Sequence, residues 1–221
     1  MRHFLLIVAS PRRKGTSAML AARCGDYLES KGHSVAVMEL YSNLNHLGEI
    51  AEAAAKADTV LFCGPSYINT YPADVYALLE EMYARKEAFH GQKLYGIIQG
   101  GMPYPHTHEN GLMALELFAK KAGFDYMGGF VMGMGAMLNG QPVEKLLNAK
   151  KVIPQLNLFF GHLEKGEVSP RQVYQASQMR LPGVLWRLMA LMANRMIDKD
   201  LKKHGIDAKV SSPYLAKGGS V

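Results

Sequence analysis

The stretch Phe4-Leu5-Leu6-Ile7-Val8-Ala9-Ser10-Pro11-Arg12-Arg13-Lys14-Gly15-Thr16-Ser17-Ala18-Met19-Leu20-Ala21-Ala22 decides the fold. It joins an unbroken apolar run to a short loop of small and basic residues, then passes straight into a helical sequence. An apolar run without alternation predicts a strand buried on both faces, as in parallel sheets. A helix that opens directly after such a strand leaves backbone N–H groups unpaired at its start and carries partial positive charge there. An anion at that end meets donors and a favourable field together. Ser10, Thr16 and Ser17 offer hydroxyls, Arg12 offers a planar fork of donors, and Gly15 lets backbone come close to a ligand. The loop reads as a phosphate clamp. The alternative is a solvated turn whose serine or threonine caps the helix.

The rest of the chain narrows that choice. His3 to Ala9 reads as a first strand, Thr16 to Lys31 as a helix ended by Gly32, and Ser34 to Leu40 as a second strand. Ile50 to Lys56 is a short alanine-rich helix, Thr59 to Cys63 a third strand, Ala73 to Lys86 a helix and Lys93 to Ile98 a fourth strand. Asn110 to Ala122 is a helix, Tyr126 to Met132 a fifth strand, and Val143 to Leu163 a last helix after a glycine-rich loop. Strands alternating with helices predict an α/β fold: a doubly wound parallel five-stranded sheet covered on both faces. For strand order 2-1-3-4-5, ligands bind outside the carboxyl ends of strands one and three, where the order reverses. The loops after strands three and four should then also be built for a ligand. They are Gly64-Pro65-Ser66-Tyr67-Ile68-Asn69-Thr70-Tyr71-Pro72-Ala73, long and rich in groups that present N–H or an aromatic face, and Gln99-Gly100-Gly101-Met102-Pro103, whose glycines open backbone amides to a close-lying ligand.

These three motifs, in this order, resemble the flavodoxin-like NAD(P)H-dependent FMN reductases, with their Ser-Pro-Arg-x-x-Gly-x-Ser phosphate loop and Pro-x-Tyr flavin loop. The resemblance covers about the first 160 residues. It implies a flavodoxin-like fold in which Ser10, Arg12, Gly15, Thr16 and Ser17 hold the FMN phosphate. It places Pro65, Ser66, Tyr67, Ile68 and Asn69 along the isoalloxazine edge, with Gln99, Gly100 and Gly101 at its pyrimidine end. The implied activity is hydride transfer from NAD(P)H via FMN to a quinone, nitroaromatic, azo compound or free flavin, with the amides of Gly100 and Gly101 tuning the flavin and a donor from Ser66 to Asn69 facing its N5. No dedicated catalytic acid or base is expected. The rival reading is a flavodoxin-type electron carrier for a partner protein, a class that tends to be strongly acidic. Residues 1–164 carry fifteen Lys and Arg against fifteen Asp and Glu, so the body is neutral and the enzyme is favoured. Thr16 stands where the family often has Asn, and Ala9 where glycine is usual.

Other classes are excluded by residues. A phosphoreceiver domain needs acidic groups where this chain has Ala9-Ser10 and Cys63-Gly64, and a P-loop nucleotidase needs Gly-Lys-Ser/Thr where it has Gly15-Thr16-Ser17. Two cysteines, Cys24 and Cys63, cannot build a zinc knuckle or an iron-sulfur cluster, so the four-cysteine branch of the superfamily is excluded. His106 and His108 have only Glu109 beside them; they read as exposed loop histidines, with contact of one of them to nicotinamide or substrate as the alternative, and no metal is expected. Gly133-Met134-Gly135-Ala136 begins like a dinucleotide fingerprint, but it lacks the third glycine and follows the last strand, so it reads as a loop near the substrate. No N-terminal signal and no membrane-length apolar stretch is seen, which predicts a cytoplasmic protein. No nucleic-acid partner is indicated.

The domains expected are 1–164, the FMN-binding body, and 165–221, a basic helical extension carrying ten Lys and Arg against four Asp and Glu. Ser169-Pro170 starts one tail helix, Leu181-Pro182-Gly183 breaks it, and Val184 to His204 forms a second. The apolar stripe Leu185, Leu188, Met192 and Met196 leaves three readings open: packing on the same subunit, packing across a dimer, or lying on an anionic membrane surface. Family resemblance favours a homodimer.

Overall fold

The computed structural model describes residues 1–170 and 182–206. Its sheet contains five strands, β1 (His3–Val8), β2 (Ser34–Glu39), β3 (Thr59–Pro65), β4 (Lys93–Gln99) and β5 (Asp125–Met132), in the order β2-β1-β3-β4-β5. All four pairings are parallel. Each strand is followed by a helix: α1 (Thr16–Ser30), α2 (Leu47–Lys56), α3 (Ala73–Ala84), α4 (Asn110–Ala122) and α5 (Ala149–Lys165). Helices α1 and α5 pack together on one face, and α2, α3 and α4 form a row on the other.

Central strands lack alternation because both faces are covered. Every residue of β3 is buried, as is Phe4 to Val8 of β1, whereas the edge strand β2 is mostly half-buried. Helix α1 turns one stripe inward: Ser17, Leu20, Ala21, Cys24 and Leu28 are buried at helical spacing.

Several boundaries differ from the expectation. Helix α2 begins at Leu47 instead of Ile50, after two short 3₁₀ turns, Leu40–Ser42 and Leu44–His46. Strand β3 runs two residues further, to Pro65, because its pairing with β4 continues to Gln99. The single helix expected over Val143 to Leu163 is divided into a 3₁₀ turn at Val143–Lys145 and then α5, since Leu146 is extended (φ −66°, ψ 142°).

The chain divides into two compact units, Met1–Met179 and Arg180–Val221. Residues beyond 164 hydrogen-bond within the first unit: Ser169 N–H donates to Met127 O at 2.7 Å, and the Tyr95 hydroxyl donates to Glu167 O at 2.7 Å. The tail helix expected from Ser169-Pro170 lies outside the described residues. The second unit contains α6 (Gly183–Lys203), whose Val184, Leu185, Leu188, Leu191, Met192 and Met196 are exposed. No helix among the described residues is long and apolar enough to cross a membrane.

Candidate functional site

At the carboxyl edge of β1, β3 and β4 lies a cavity of about 500 Å³ including its open mouth. It is lined by Ser10, Arg12, Gly15 and Thr16 from the loop after β1. Pro65, Ser66 and Tyr67 line it from the loop after β3, Gln99, Gly100 and Gly101 from the loop after β4, and Ala136 and Asn139 from the loop after β5. Four loops distant in sequence meet here because parallel strands deliver their carboxyl ends to one edge.

Helix α1 opens on this cavity without a cap. Its N-cap residue, Gly15, has no side chain to offer, and the first-turn N–H groups of Thr16, Ser17 and Ala18 find no acceptor among the described residues. Thr16 and Ser17 are buried, and buried N–H groups without partners are destabilising unless a ligand or water accepts from them. Beside them, Ser10 Oγ accepts from Arg12 N–H at 3.3 Å, which leaves its proton free to donate. Arg13 pairs with Glu39 at 3.8 Å, but the Arg12 guanidinium has no partner among the described residues. This end of the cavity has donors and positive charge and lacks an acceptor. At its inner wall, the reverse holds for Gln99: Nε2 donates to Ser17 Oγ at 3.3 Å, while buried Oε1 has no donor among the described residues.

Some expected contacts fall elsewhere. Ser17 is fully buried on the core stripe of α1 and does not line the cavity. The Thr16 hydroxyl proton is given to Gly135 O at 2.9 Å, and its oxygen accepts from Gly140 N–H at 3.3 Å. A hydroxyl has one proton, so this side chain ties two loops together and has none left for a phosphate. The amide of Gly100 donates to Met132 O at 3.2 Å and cannot tune a ligand; Gly101 N–H has no partner among the described residues. Likewise Ser66 N–H donates to Gln99 O and Tyr67 N–H to Thr70 O, both at 2.7 Å. The open amides in that loop are those of Ile68 and Asn69, two residues at left-handed φ of 52° and 68° forming a tight turn. Neither side chain lines the cavity, and Ile68 is fully exposed.

A family model described as NADPH-dependent FMN reductase matches residues 2–133, more than half of the chain. The chain belongs to this family. It is an oxidoreductase, with FMN as its cofactor and NAD(P)H as its reductant. The residues present fit that cofactor: an anion-seeking helix end, an unpaired arginine and an orphaned buried acceptor share one cavity. Among solved structures the chain is similar to an NADH:FMN oxidoreductase in its apo form, at TM-score 0.62 and 19% identity over 79% of this chain and 94% of that one. It is also similar to an azoreductase from Bacillus anthracis, at 0.52 and 12% over 75% and 98%. General stress protein 14 from Treponema denticola, solved with FMN, gives 0.51 and 16% over 72% and 99%. At such identities the likeness is one of fold. Comparison with curated protein sequences finds no match.

Asn139 was not among the expected site residues and Ala136 was expected only as part of a loop near the substrate, although a further signal existed. Gly133 to Gly140 follows the carboxyl end of the last strand, and Asn139-Gly140 is a turn dipeptide. Gly140 sits at φ 85°, and a Cβ there would lie 1.9 Å from Lys14 O, so only glycine lets this loop close against the phosphate loop. His108 also departs from expectation: it is buried, not exposed. Among the described residues no group of three His, Cys, Asp or Glu could hold a metal ion. Cys63, buried beneath the site, donates its thiol to Ser17 O at 3.1 Å, and burial pushes its pKa up.

Proposed function

We propose that this cavity holds FMN with its phosphate at the N-terminus of α1, and that the protein uses NAD(P)H to reduce a small acceptor: a quinone, a nitroaromatic, an azo compound or a free flavin. The uncapped start of α1 carries this reading. Its buried N–H groups require an acceptor, and Ser10 and Arg12 add unengaged donors around the same point. When bound, FMN supplies hydride acceptance and electron release, chemistry no side chain here provides.

The chain's own part is to bind and orient. Thr16 N–H, at the cavity end of α1, fixes the phosphate with Ser10 and Arg12. Gln99 Oε1 accepts from the ring's pyrimidine N–H, and Gly101 N–H donates to the oxygen beside it, stabilising negative charge that develops there. The open amides of Ile68 and Asn69 supply the donor for the ring's outer edge. Tyr67 and Pro65 give the ring a flat apolar wall. Reconstituted protein mixed anaerobically with NADPH or NADH should lose its oxidised-flavin absorbance and regain it on adding a quinone. Absorbance unaffected by both nicotinamides would reject the proposal.

A further inference from the structure

We infer that His108 is a positioning residue for the cofactor edge of this cavity: from behind, it fixes the Gly100–Met102 turn that presents the Gly101 amide. The inference rests on the cofactor reading above and concerns a residue that lines no part of the cavity.

His108 is 3% exposed. It is fixed by backbone on both sides, since its N–H donates to Pro105 O at 2.8 Å and its carbonyl accepts from Gly111 N–H at the start of α4. From that anchor the ring reaches back to the turn in two ways. Its Nε2 lies 3.0 Å from Met102 O. A carbonyl only accepts, so the proton is on Nε2 and Nδ1 bears a lone pair, buried and without a donor among the described residues. The ring also occupies the space beside the Gly100 Cα. A Cβ on Gly100 would lie 2.2 Å from Cε1, 2.6 Å from Nδ1 and 3.0 Å from Nε2. Position 100 is therefore glycine because of the imidazole behind it, whereas a Cβ on Gly101 would meet only Ala136, at 4.0 Å.

The turn held in this way joins two cavity walls. Met102 O accepts from Met134 N–H at 3.0 Å as well as from His108, and Gly100 O accepts from Ala136 N–H at 3.3 Å. His108 thus couples α4 to the loops after β4 and β5, and without it the turn loses its rear wall. Burying an imidazole with one nitrogen unpartnered is unfavourable, which a residue serving only as filler would not require.

The test uses the full chain, freed of flavin and then titrated with FMN. His108→Ala should weaken FMN binding about tenfold, and lower the midpoint potential of bound FMN by a similar factor, about 30 mV for two electrons. His108→Gln, whose amide can donate to Met102 O, should recover part of both. Gly100→Ala should be as damaging in the parent and close to neutral beside His108→Ala, because the clash needs the ring. Unchanged affinity and potential in folded His108→Ala, or Gly100→Ala damage that persists without the ring, would overturn the assignment. If His108→Ala does not fold, ¹⁵N resonances of the parent's imidazole decide: the Nε2–H form at neutral pH supports the assignment and the Nδ1–H form overturns it. Failure of the parent to bind FMN would instead refute the cofactor reading, and the tautomer and the Gly100–His108 coupling in thermal unfolding would still judge His108.

Discussion

Thr16→Val separates two roles for one hydroxyl. As a phosphate ligand, Thr16 would matter only when FMN is bound; as a tie between loops, it matters in the flavin-free protein. Its hydroxyl makes two hydrogen bonds, to Gly135 O at 2.9 Å and from Gly140 N–H at 3.3 Å, at a residue 3% exposed. Valine keeps the shape and removes both. With about 1 kcal/mol for each bond, and the Gly135 carbonyl left buried, the flavin-free protein should lose about 2 kcal/mol. In a chain of this size that lowers Tm by about 4–8 °C. FMN affinity should fall as well, because the loop carrying Ala136 and Asn139 is released from the phosphate loop. Thr16→Ser, retaining the hydroxyl, should restore most of the stability. Thermal and urea unfolding of the flavin-free variants, followed by FMN titration, measure both effects. Flavin-free stability equal to the parent's, with only FMN affinity reduced, would refute the tie and return Thr16 to the phosphate.

Other variants probe the remaining contacts. Arg12→Ala should weaken FMN retention about tenfold or more, since charge-assisted contacts are about twice as strong as neutral ones; equilibrium dialysis showing parental retention would remove Arg12 from the clamp. Ile68→Gly should stabilise the flavin-free protein by about 1 kcal/mol, because a β-branched residue at φ 52° is strained and this side chain is fully exposed; a loss of stability in urea would show that Ile68 makes contacts the structure lacks. Burial holds the His108 pKa below its usual value, opposed by the bond to Met102 O and reinforced by His106. The unfolded chain then binds a proton first, so this contribution is whole above about pH 6.5 and is lost as pH falls toward the folded value. Urea unfolding from pH 7.5 down to 5 should show this decline, and His108→Gln should flatten it; parallel slopes would contradict the burial argument.

The sheet was legible because burial on both faces leaves apolar runs that nothing else in a chain of this composition explains. Helix α4 matched its expected Asn110–Ala122 span, being bounded by Gly123 and a polar loop. Local signals compete over Val143 to Leu163, where the extended Leu146 breaks what continuous periodicity presents as one helix. Three of the four loops around the cavity could be found from β-strand ends and small residues alone. Which donors in them are free could not, because Gly100 and Ser66 use their amides on neighbours set by sheet register and Tyr67 uses its own on Thr70 across a tight turn. Ser17 was misplaced although its spacing to Ala21, Cys24 and Leu28 marks it as part of the buried stripe. His108 does lie in the loop before α4, but its burial against the Gly100–Met102 turn has no signature in the polar residues around it.

The central claim is that the start of α1 holds a phosphate, and riboflavin, which is FMN without its phosphate, tests it most directly. Flavin-free protein should quench FMN fluorescence on titration and bind riboflavin at least about a hundredfold more weakly, as expected when several charge-assisted hydrogen bonds are absent. Equal affinity for the two flavins would contradict the account.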